Sequence, residues 1–194
     1  MRKFILAALV LVAPAAMADS EVSLVLQGGA SHYQQSLSGS NYGIAYGARL
    51  GVMPLSFLGV ELGYLGTRND LAVSSNGSVP AATLSTNEGY ADLRVNLFPN
   101  VVTPYIFGGY GLTWVNGAAA AGIANDHVST LPFGGGLEAN ISNFKLGARF
   151  QYNYLFNDIF AGTNASGSPT NAGVNKGGHA DFWAATIDVG VSFR

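Results

Sequence analysis

Residues 144–156 read Phe-Lys-Leu-Gly-Ala-Arg-Phe-Gln-Tyr-Asn-Tyr-Leu-Phe, and their alternation decides the fold. Phe144, Leu146, Ala148, Phe150, Tyr152, Tyr154 and Phe156 share one parity; Lys145, Gly147, Arg149, Gln151 and Asn153 share the other. Successive side chains of a β-strand point to opposite faces, so this period of two separates an apolar face from a polar one. A tilted strand of about ten residues is also long enough to cross a bilayer.

The same pattern recurs on both sides of this segment. In 42–52, Tyr42, Ile44, Tyr46, Ala48, Leu50 and Val52 oppose Gly43, Ala45, Gly47, Arg49 and Gly51. In 58–64, Leu58, Val60, Leu62 and Tyr64 oppose Gly59, Glu61 and Gly63. In 87–97, Ala91, Leu93, Val95 and Leu97 oppose Glu88, Asp92, Arg94 and Asn96. The last run sets Trp183, Ala185, Ile187, Val189, Val191 and Phe193 against Thr186, Asp188 and Ser192. Val22–Ala30 and Leu131–Ala139 fit as weaker first and sixth strands. Residues 103–114 read as extended, with Gly108, Gly109 and Gly111 leaving open which parity faces out. The expectation is an all-β fold: an eight-stranded antiparallel up-and-down transmembrane β-barrel, the even strand number of single-chain bacterial barrels.

Connections support this reading. Long segments (32–41, 69–86, 115–126, 157–178) take turns with short ones (53–57, 99–102, 140–143). Outer-membrane barrels carry short periplasmic turns and longer extracellular loops. Met53-Pro54, Phe98-Pro99-Asn100 and Asn140-Ile141-Ser142-Asn143 supply turn-forming residues. The N- and C-termini are therefore expected on the periplasmic side, with the long loops extracellular.

Composition and the N-terminus point the same way. The chain is 48% hydrophobic, 10% charged and contains 26 Gly, well below the roughly one-quarter charged residues of ordinary soluble domains. Beyond the N-terminus its apolar residues are diluted by alternation, and no run is long enough for a spanning helix. Arg2 and Lys3, the apolar run Phe4–Val12 and Ala16-Met17-Ala18 form a signal peptide with a small-x-small cleavage site. Residues 1–18 are expected to be removed between Ala18 and Asp19, leaving a barrel domain over 19–194. Without Arg2 and Lys3, seven basic residues face eleven acidic ones, and no basic patch suggests nucleic acid. There is no Cys, which excludes disulfides, thiolate metal sites and a lipoprotein anchor.

Charges fall on one parity. Arg49, Glu61, Glu88, Asp92, Arg94, Glu138, Lys145, Arg149 and Asp188 all oppose the bulky apolar set. A charge facing lipid at midplane costs about 2–4 kcal/mol, whereas a charge in the lumen can be paired or hydrated. Four bases against five acids predict an interior ion-pair network. Aromatic side chains are expected in two interfacial bands, with Phe57, Phe98, Tyr105, Phe144 and Phe193 at the short-turn side. Tyr42, Tyr64, Tyr110, Trp114, Tyr154, Phe156 and Trp183 belong to the other.

The mature length resembles the small outer-membrane β-barrel proteins of the OmpA transmembrane-domain and OmpX type, a porin-like family. The resemblance rests on the signal peptide, the Pro104-Tyr105 to Gly111 segment with spaced glycines, and the closing Asp188-Val189-Gly190-Val191-Ser192-Phe193. It implies residence in the Gram-negative outer membrane, insertion by the barrel-assembly machinery, and Phe193 as the assembly signal. Arg194 follows that Phe, a departure from the family pattern.

Site chemistry is sparse. His32, His127 and His179 lie in or beside long loops without metal-ligand spacing. Gly134-Gly135-Gly136 and Gly108-Gly109 lack the context of a phosphate cradle. His127-Val128-Ser129 resembles the His-x-Ser pair of outer-membrane lipid A deacylases, without the flanking Arg and Asn. Glu138 follows Ser129 by nine residues, some 30 Å along a strand at about 3.3 Å per residue and too far to orient the histidine. Neither a cofactor nor a metal is expected, and no enzyme activity. The leading expectation is a monomeric structural or surface barrel, in contact with membrane lipid, whose loops bind lipopolysaccharide or other partners. The alternatives are a narrow ion-conducting pore gated by lumen charge pairs and, more remotely, a lipid A deacylase.

Overall fold

A computed structural model describes residues 20–34, 41–71, 82–116, 126–156, 162–163, 169–170 and 181–193. The signal sequence, its Ala18/Asp19 junction, His179 and Arg194 lie outside the described residues. Eight long strands carry the alternating segments. They are β1 (Glu21–Tyr33), β2 (Gly43–Leu55), β3 (Leu58–Leu71), β4 (Ala82–Asn96), β5 (Val102–Asn116), β6 (Asp126–Ile141), β7 (Phe144–Phe156) and β10 (Phe182–Phe193). Each pairs antiparallel with its neighbours in the chain, and β1 closes on β10 from Val22↔Phe193 to Tyr33↔Phe182. Closure leaves no unpaired edge, which is what permits a sheet to stand in lipid. Between β7 and β10, Gly162–Thr163 (β8) and Pro169–Thr170 (β9) form a separate two-stranded ladder in a segment read from sequence as loop.

The alternation becomes an inside and an outside. Leu24, Leu26, Leu50, Leu62, Leu93, Ile106, Leu112, Leu146, Phe150, Ile187 and Val189 are exposed on the outer wall, an inversion of the soluble pattern. The register settles β5: Ile106, Tyr110, Leu112 and Trp114 face out, and Thr103, Tyr105, Phe107 and Thr113 face in. Tyr105 is therefore no girdle residue, contrary to expectation. Its ring is buried in the lumen, because β5 presents odd-numbered residues inward and Arg94 is there to cover it.

Two proline effects are visible. The β2–β3 ladder shifts register between Val52 and Leu55, around Pro54. The β5–β6 ladder skips from Gly108↔Phe133 to Gly111↔Thr130, across Pro132, which has no N–H to give.

The turns at 56–57, 97–101 and 142–143, with Glu21 and Phe193, lie at one end of the barrel, called here the turn end. Ser142 accommodates its tight turn with φ 56°, a left-handed conformation uncommon outside glycine. At the far end the strands outrun the sequence-based boundaries: β3 and β4 remain paired to Leu71↔Ala82, inside the segment 69–86 read as loop. The outward residues there are polar (Arg68, Asp70, Thr83, Ser85, Asn87), and Leu65 and Leu84 point in. The alternation thus changes sense along the strand, apolar outside in the middle and apolar inside at the far end.

Candidate functional site

The lumen is the one place where the described charged residues converge. Arg49 comes from β2, Glu61 from β3, Glu88, Asp92 and Arg94 from β4, Glu138 from β6, Lys145 and Arg149 from β7, and Asp188 from β10. All nine are buried. Glu21, which the parity reading did not single out, joins them at the turn end.

From that end upward the pairs form a chain. Lys145 Nζ donates to Glu138 Oε1 at 2.7 Å and lies 2.6 Å from Glu21 Oε1. Arg94 grips Glu138 with both terminal nitrogens at 3.0 Å and reaches Glu61 Oε1 at 3.1 Å. Arg149 spans the lumen from β7, donating from Nη1 to Glu61 Oε2 and from Nη2 to Asp92 Oδ2, each at 2.6 Å. Arg49 Nη1 lies 2.8 Å from Asp188 Oδ2 and its Nε 3.5 Å from Glu61 Oε1. Glu61 thus sits among three guanidinium groups. Forked guanidinium–carboxylate contacts of this kind outweigh single point-charge pairs in geometric specificity.

Aromatic rings floor the charges. The Arg94 guanidinium carbon lies 3.8 Å from the Tyr105 ring centre, and that of Arg149 3.3 Å from Phe107. Gly136 makes room for the Tyr105 ring, since a Cβ there would stand 2.6 Å from the phenol oxygen. Gly134 does the same for Phe107, whose Cζ would lie 3.0 Å from a Cβ there, so these two glycines of β6 follow from inward aromatics of β5.

Above the charges the lumen turns first to hydroxyls and then to hydrocarbon. Thr67, Thr86 and the Tyr33 hydroxyl bond one another at 2.6–3.2 Å, and Thr113 meets Thr130 at 2.5 Å. Tyr33, Leu65, Leu84, Val115, Val128, Leu155 and Phe182 then pack into one buried cluster. Sequence reading missed this cluster, whose members sit on the parity assigned to polar groups. The signal was present in the apolar residues of that parity, Leu65, Leu84, Val115 and Val128, around predicted loops.

The far rim is tied down by Asp181. Its carboxylate accepts from the Tyr152 hydroxyl at 2.9 Å and the Leu155 N–H at 3.1 Å, while its carbonyl accepts from Gln34 N–H at 2.8 Å. Asp181→Ala should cost about 1–3 kcal/mol by orphaning the buried Leu155 N–H. Chemical denaturation of the refolded barrel measures this, and a wild-type midpoint would refute the clamp.

Other sequence candidates do not converge. Ser129 Oγ lies 2.7 Å from the Tyr110 hydroxyl, and the His127 ring packs edge-on to Trp114 at 6.4 Å. His32 stacks on Trp183 at 6.0 Å and meets Tyr42 at 4.9 Å, on the outer wall. Among the described residues no group of three or more His, Cys, Asp or Glu is placed to hold a metal. At the turn end Arg94, Lys145, Glu138 and Glu21 look onto a pocket of about 450 Å³, edged by Asn96, Asn100 and Asn140.

A closed wall that is apolar outside and ion-paired inside matches a known architecture, and the family model for the outer membrane protein beta-barrel domain covers residues 4–194. The chain belongs to that family. Its place is accordingly the outer membrane. Among solved structures it is similar to the N-terminal β-barrel domain of Pseudomonas aeruginosa OprF, at 15% identity and a TM-score of 0.51, covering 89% of this chain and 97% of that one. It is similar to Neisserial surface protein A at 16% identity and a TM-score of 0.53, covering 90% and 97%. It is also similar to Ail, the attachment invasion locus protein of Yersinia pestis, in complex with the heparin analogue sucrose octasulfate. There the identity is 14% and the TM-score 0.54, with coverage of 90% and 99%. No curated protein matches the chain. At these identities the likeness is one of fold.

Proposed function

We propose that this family member is a closed structural and surface barrel without catalytic activity. The observation that carries the reading is a lumen filled twice over, by an ion-pair layer around Glu61 and by the apolar cluster around Phe182. An eight-stranded barrel has room inside for side chains and little else. Partners then have to be met from the rims. The turn end with Glu21 and Phe193 faces the periplasm and the far end the exterior, following the general disposition of short turns and long loops. Phe193, exposed at the end of β10, serves as the signal to the assembly machinery.

Lipopolysaccharide is the partner that the outer wall suits best. Arg68 stands on that wall four residues beyond the girdle residue Tyr64 in β3, a cation suited to anionic lipid headgroups. The ring series Phe150, Trp183, His32 and Tyr42 continues round the barrel from β7 to β2. Rings at this level are anchors to the headgroup region.

Conductance of the refolded monomer in a planar bilayer tests the reading. The wild-type barrel should be silent. Stable steps that change with Arg94→Ala or Arg149→Ala would replace this reading by the narrow, charge-gated pore.

A further inference from the structure

Of the six described carboxylates in the lumen only Glu88 has no basic partner, and we propose that Glu88, with Asp92 two inward positions along β4, binds a single alkali cation inside the barrel. Arg49, Arg94, Lys145 and Arg149 are each engaged by two carboxylates or more. Those partners are Glu21, Glu61, Asp92, Glu138 and Asp188. Among the described residues Glu88 has no cationic group within ion-pair distance, though it is 0% exposed. Its one polar contact is the Gln151 amide, at 3.5 Å from Oε2.

Burying an unpaired carboxylate is among the most expensive things a fold can do, so such a group calls for a counter-charge. The atoms that would receive one are in place. Glu88 Oε1 and Asp92 Oδ1 are both buried without a hydrogen-bond partner. Each lies over a glycine of the neighbouring strand. A Cβ on Gly111 would stand 2.8 Å from Glu88 Oε1, and one on Gly109 would stand 2.4 Å from Asp92 Oδ1. The two inward positions of β5 facing these oxygens therefore carry no side chain. The other Asp92 oxygen is taken by Arg149, so Glu88 is the charge of this pair left without a base. Two carboxylates without imidazole or thiolate suit a hard, singly charged ion rather than a transition metal.

The test compares melting of the refolded barrel in sodium, potassium and N-methyl-D-glucamine chloride. Equal ionic strength keeps screening constant. The wild type should melt about 5 °C lower in the organic salt, as for loss of an ion present well above its dissociation constant. Sodium retained by the folded barrel after desalting, measured by atomic emission, reads the ion directly. Glu88→Gln should abolish both effects. Gly111→Ala, which puts a methyl group where the ion would sit and keeps every charge, should abolish them as well. A wild-type melting point independent of the cation overturns the proposal, since a proton on Glu88 would then suffice. So does an alkali dependence that survives in both variants.

Discussion

Arg149→Ala is expected to destabilise the barrel by about 3–5 kcal/mol, the cost of breaking a buried ion pair from one side. Arg149 bridges Glu61 on β3 and Asp92 on β4 from β7, so one side chain ties together strands on opposite sides of the lumen. Its loss falls unevenly. Glu61 retains Arg49 and Arg94, but Asp92 has no other cation in its ion pairs. Adding Asp92→Asn should therefore recover a large part of the loss, because removing both partners spares the fold an unpaired charge. Arg149→Lys should recover little: one ammonium cannot donate along two diverging directions to carboxylates on different strands. Unfolding of the refolded protein in urea and lipid vesicles measures all three. A wild-type midpoint for Arg149→Ala, or a double variant no better than the single, would sink the bridge.

This network shows what can be read from a chain like this one. Lys145 and Arg149 betray their inward direction because Phe144, Leu146 and Phe150 flank them on the other parity, and lipid enforces that division without exception through the middle of the wall. The strand count, closure and the β7 face follow from the same constraint. Which acid meets which base does not follow, since Arg149 and Glu61 are 88 residues apart and meet only through register and barrel closure. The far end was obscured for a different reason. Past the aromatic band of Tyr64 the outward residues turn polar, so Arg68 and Asn87 face out while Leu65 and Leu84 turn in. A rule that equates apolar with outward inverts there, and the strands look as if they stop. Tyr105 deceived by its chemistry, since an aromatic near a strand end serves a girdle or a lumen floor equally well.

The apolar half of the lumen yields the second large effect. Phe182→Ala should cost about 3–5 kcal/mol, the usual range for deleting a fully buried aromatic side chain. Phe182 is 0% exposed, opens β10 and packs on the Tyr33 ring at 5.2 Å. The cavity left behind would lie in the path along the barrel axis, yet conductance should stay absent. The ion-pair layer around Glu61 lies in series with the apolar layer, and either alone is enough to stop a hydrated ion. Ion flow should appear only when Phe182→Ala is combined with Arg149→Ala, which opens both layers. The experiment thus separates stability from closure: denaturation registers each single change, and the bilayer current registers only the pair. Current through Phe182→Ala alone would mean that the charges form no barrier and that the hydrocarbon around Phe182 is the whole seal.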